Sequence, residues 1–83
     1  MDIAAVRASI QDILYQWTGV RVNDTSINLF DSSLAIRTPD FLYVFAAMEK
    51  EFSMPAFNFL NEEPYTNFNI DCLSEYIYNL IKN

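Results

Sequence analysis

The chain contains no histidine and a single cysteine, Cys72, among its 83 residues. One thiol cannot close an internal disulfide, and without imidazole the usual zinc-ligand set is missing, so disulfide-stapled and zinc-stabilised folds are both excluded. The same poverty argues against an enzyme. Cys72 has no candidate base, and the adjacent carboxylates Glu62 and Glu63 read as a solvated pair rather than as an acid and a base. Glycine occurs once, as Gly19, and no Asn-Gly or Asp-Gly turn separates alternating apolar runs, so strands are not expected. Basic residues are scarce too. Five Lys and Arg stand against eleven Asp and Glu, for a net charge of −6, which repels phosphate backbones and anionic lipid and sets aside nucleic-acid and membrane roles. Long apolar runs are also missing. Asp2, Arg7 and Asp12 interrupt the N-terminal segment, so it reads neither as a signal peptide nor as a membrane span, and a cytoplasmic location is expected.

What is present is apolar and aromatic. Hydrophobic residues make up 52% of the chain and aromatics 16%, with seven Phe and five Tyr. That is enough for one core in one domain spanning residues 1–83, and too little chain for a second.

The apolar spacing is helical. Ile3, Val6, Ile10, Ile13, Leu14 and Trp17 recur at three- and four-residue steps, which predicts a first amphipathic helix that Asp2 caps and Gly19 ends. Val20 to Arg37 follows as a long connection rich in Asn, Asp, Ser and Thr, expected to lie across the core on Ile27, Phe30, Leu34 and Ile36. Thr38-Pro39-Asp40 is the clearest helix start: Thr38 suits the cap, Pro39 the first helical position and Asp40 the positive helix end. The helix running from there to Phe52 places Phe41, Val44, Phe45, Met48 and Phe52 on one face. Pro39, Leu42, Tyr43, Ala46, Glu49 and Lys50 lie on the other. Ser53-Met54-Pro55 breaks the pattern, and Ala56 to Glu63 supplies at most a short helical segment before Pro64. Ile70, Leu73, Ile77 and Leu80, with Tyr76 and Ile81, define a last helix capped by Asn69 or Asp71. The expected fold class is all-α: three main helices, one short helix and a long first loop.

Phe30, Leu34, Thr38 and the block Met48-Glu49-Lys50-Glu51-Phe52 fall without a gap at the separations found in acyl and peptidyl carrier proteins. Met54, Ala56, Ile70, Leu73 and Ile77 also match that family's apolar positions, so the chain resembles a carrier protein over most of its length. The resemblance implies a four-helix bundle whose second helix docks partner enzymes. It also implies a 4'-phosphopantetheine arm on a serine within Asp-Ser-Leu, and here this sequence departs from the family. The matching residues are Arg37-Thr38-Pro39, a charge reversal, a β-branched alcohol and a rigid ring. The chain is therefore similar to serine-less, acyl-carrier-related proteins of peptide-maturation systems. A non-enzymatic module without a cofactor is expected, with a biosynthetic or peptide-modifying enzyme as its partner.

Two alternatives remain open. Asp31-Ser32-Ser33-Leu34 reads as a displaced attachment motif, about five residues early, with the arm on Ser33 or Ser32; Thr38 is the third possible attachment residue. Phe57, Phe59, Tyr65 and Phe68 fill the core or, on the other reading, line an acyl pocket. For docking, the expected residues are Pro39, Asp40, Leu42, Tyr43, Ala46, Glu49 and Lys50, with Leu42 and Tyr43 as outward anchors.

Overall fold

A computed structural model describes residues 2–62 and 65–82, the side chain of Tyr65 apart. The expectations placed on Glu63, on Pro64 and on the Tyr65 side chain lie outside the described residues. Among the described residues four α-helices follow one another: α1 (Ile3–Thr18), α2 (Thr38–Phe52), the short α3 (Asn58–Glu62) and α4 (Ile70–Lys82). One-turn 3-10 segments lie at Ser32–Leu34 and Tyr65–Asn67. Among the described residues there is no strand.

Local chemistry sets the ends of α1. The Asp2 carboxylate accepts the Ala5 backbone N–H at 2.8 Å, satisfying a donor with no partner inside the helix. At the other end Gly19 turns left-handed at φ 74° and donates its N–H to the Tyr15 carbonyl. Only Gly adopts that conformation without a Cβ penalty, which is why the helix stops there. Asn69 caps α4, accepting the Cys72 N–H at 2.8 Å.

The start of α2 is different from its sequence reading. The helix begins at Thr38 itself, so Arg37 takes the cap position and contributes no side-chain hydrogen bond. Thr38 is inside the first turn and does not cap. Pro39 still suits the start, because a first-turn residue needs no backbone N–H. Asp40 in the first turn and Lys50 in the last complement the helix dipole.

The core forms where the apolar stripes meet. α1 buries Val6, Ile10, Ile13 and Leu14, α4 buries Ile70, Leu73 and Ile77, and α2 buries Phe41, Val44, Phe45, Met48 and Phe52 as its spacing predicts. α1 packs against both α2 and α4, and Arg7 adds an ion pair to Asp71 of α4, Nε to Oδ1 3.3 Å, with Nε itself outside hydrogen-bond geometry. Both side chains are over a third exposed, so the pair stabilises by less than about 1 kcal/mol. Phe68 stands at the aromatic centre, with the rings of Phe30, Phe41, Phe45 and Phe59 at centroid distances of 4.5 to 6.3 Å. Stacked, edge-on and tilted contacts of this kind add to the area these rings bury.

The long connection is tied down by hydrogen bonds to its backbone. Gln11 Nε2 donates to the Val22 carbonyl at 2.9 Å, the Leu29 N–H to the Phe68 carbonyl at 2.8 Å, and the Asp71 N–H to the Thr25 carbonyl at 3.0 Å. Its deepest anchors are Val22 and Leu29, each 1% exposed. Ile27, Leu34 and Ile36 are only half-buried, and Phe30, expected as an anchor, is 45% exposed. Asp24 and Asp31 shape the surface turns, accepting the backbone N–H groups of Ser26 (3.0 Å) and Ser33 (2.9 Å).

Candidate functional site

The outward face of α2 is the most exposed apolar surface on the long helices. Leu42 is 61% exposed and Tyr43 59%, with Pro39, Ala46 and Lys50 exposed beside them. The packing of α2 dictates this: once five apolar side chains point into the core, the residues a half-turn away must face out.

Trp17 joins this surface. Its spacing places it on the buried stripe of α1, yet the indole is 47% exposed and lies parallel to the Tyr43 ring, centroids 5.9 Å apart and planes at 9°. It occupies the last turn of α1, and an indole is too large to bury completely there. The two rings share in lining an open groove of about 530 Å³ between α1 and α2, with Ile13, Gln16, Ala46, Ala47, Lys50 and Glu51.

Two expected docking residues stand apart from the patch. Glu49 is half-buried, and its Oε2 accepts the Phe57 N–H at 3.4 Å, so it is turned toward the approach to α3 rather than outward. Asp40 is half-buried at the edge of the face. The rest of the expected set, Pro39, Leu42, Tyr43, Ala46 and Lys50, stays exposed. The residue that sequence reasoning missed is Trp17, for which the helical period is the wrong guide at a helix end.

The possible attachment residues are all exposed. Thr38 sits in the first turn of α2 before Pro39, and Ser32 and Ser33 open the 3-10 turn ahead of α2. The Ser33 backbone N–H, with its hydroxyl adding to the effect, holds the Asp31 carboxyl below its usual range. Ser26 does the same for Asp24, its hydroxyl first and its backbone N–H second. Ser33 is separated from the start of α2 by Ala35, which is left-handed at φ 55°. At Thr38 the hydroxyl is a hindered secondary alcohol.

Phe57, Phe59 and Phe68 belong to the aromatic packing: Phe59 and Phe68 are buried, and Phe57 lies against Phe45 with centroids 5.5 Å apart. Cys72 is half-buried, early in α4. Among the described residues no cluster of His, Cys, Asp or Glu could hold a metal ion, and no helix is long and apolar enough to cross a membrane. The chain matches no family model, no curated protein and no solved structure.

Proposed function

We propose that this chain is a non-enzymatic, acyl-carrier-like module that docks a partner protein through the outer face of α2 and carries no phosphopantetheine arm. The partner is a biosynthetic or peptide-modifying enzyme, as the family resemblance implies. The observation that carries this reading is the exposure of Leu42 and Tyr43 in the first half of α2, with the Tyr43 ring stacked on the half-exposed Trp17. Aromatic side chains grouped at the centre of a surface, with charged residues around them, are what protein interfaces use as anchors. The absence of an arm rests on Thr38-Pro39 standing where the family has Ser-Leu.

A second reading, a true carrier with the arm on Ser33, is favoured by one observation: Asp31 caps a helical turn that begins with exposed serines, a small version of the family's Asp-Ser helix start. Titration of candidate partner enzymes, followed by amide chemical shifts, tests the docking claim. Perturbations centred on Leu42, Tyr43 and Ala46 support it; perturbations confined to α4 and the first turns of α1 refute it.

A further inference from the structure

The groove between α1 and α2 has a chemistry of its own beyond the exposed α2 face. We infer that its occupant is an amphipathic helix of the partner protein, with a bulky apolar residue against Trp17 and Tyr43 and, on one flank, a carboxylate for Lys50 and a cation for Glu51. The inference rests on α2 being the docking surface and adds what docks there. Three features carry it.

The lining combines small and aromatic side chains. Ala46 and Ala47 are small enough to let another helix backbone approach, while Trp17 and Tyr43 add apolar ring surface to the lining. The groove is open to solvent, and small-molecule sites enclose most of their ligand, so a macromolecular segment fits it better. Helix ridges seat in grooves between helices of this kind.

Charge sets the register. Arg7 and Arg21 are paired with Asp71 and Asp12, whereas Lys50 and Glu51 have no ion-pair partner among the described residues and line the same groove one residue apart. Two adjacent unpaired charges of opposite sign fix how a complementary flank can lie. A second copy of this chain is the weaker occupant, because each copy carries a net charge of −6 and two would repel.

A displayed library of amphipathic helices, randomised at one apolar and two flanking positions, tests this against the full chain. Selected helices should carry Phe, Leu, Met or Trp at the apolar position and an acid and a base at the flanking ones. With Lys50→Glu/Glu51→Lys as bait the two flanking preferences should exchange, and with Trp17→Ala enrichment should fall at least tenfold. Retention of no helices, or selection without charge preference, overturns the inference. So does a concentration-dependent dimer in sedimentation that Trp17→Ala abolishes, since the occupant would then be a second copy. If a partner enzyme loses binding on Tyr43→Ala but ignores both Trp17→Ala and the charge exchange, the helix-in-groove inference fails while docking through α2 stands.

Discussion

The Trp17 indole and the Tyr43 phenol lie face to face across the α1–α2 boundary, 5.9 Å between centroids and 9° from parallel, with about half of each side chain in water. Two large rings kept at the surface by helix packing cost little to leave exposed singly, but together they form a continuous apolar site. Their proximity makes the one tryptophan of the chain a reporter of α2.

Tyr43→Ala should therefore leave the melting temperature nearly unchanged, shift Trp17 emission to longer wavelength and weaken partner binding by about tenfold or more, as for an interface anchor losing at least 1.4 kcal/mol. A large fall in melting temperature would instead make Tyr43 part of the core.

Phe45 and Phe68 are each 1% exposed, and their rings face each other with centroids 5.9 Å apart. Phe45→Ala or Phe68→Ala should destabilise the fold by about 3 to 5 kcal/mol in urea unfolding, through lost burial and the cavity left behind. A cost below about 1 kcal/mol would mean that the aromatic centre is not closely packed.

The two sides of the core were unequally legible in the sequence. The buried face of α2 and the ends of α1 are readable because period and capping chemistry are local: Phe41 to Phe52 repeat at helical steps, Asp2 reaches only three residues and Gly19 needs only its own φ. Val22, Leu29 and Trp17 were not readable from period. The first two are buried by contacts from distant segments, including the Leu29 N–H bond to the Phe68 carbonyl, and Trp17 depends on what the last turn of α1 meets. Leu80 and Ile81 repeat the lesson in the last turns of α4, where the stripe continues but each residue is about 40% exposed rather than buried. Of the candidate site, Leu42, Tyr43, Ala46 and Lys50 followed from the wheel. The turning of Glu49 toward Phe57 depended on the path of the chain after α2.

Capping gives a paired expectation. Asp2→Ala should cost about 1 kcal/mol, because its carboxylate bonds the Ala5 N–H. Thr38→Ala should change stability by less than about 0.5 kcal/mol, because Arg37 holds the cap position of α2 and no side-chain cap bond is made there. Thermal unfolding of both variants checks the pair, and equal losses would return the capping role to Thr38.

The turns at Asp24 and Asp31 should respond to acid. Hydrogen bonds from Ser26 and Ser33 to the carboxylates lower both folded pKa values below the ordinary 3.8. Their contribution to stability is then present above the ordinary value and lost as pH falls through the lower folded values. Carboxyl chemical-shift titrations should give midpoints below 3.8 for both residues, and a midpoint at or above it for either would mean that its turn is not held in solution.

The central claim is a carrier-like fold that docks without carrying. Intact-mass measurement after incubation with coenzyme A and a promiscuous phosphopantetheinyl transferase tests it most directly, with a known carrier protein treated alongside. The mass of this chain should stay unmodified while the control gains its arm. A gain of one phosphopantetheine, mapped by peptide analysis to Ser33, Ser32 or Thr38, would contradict the account and make the chain a covalent shuttle.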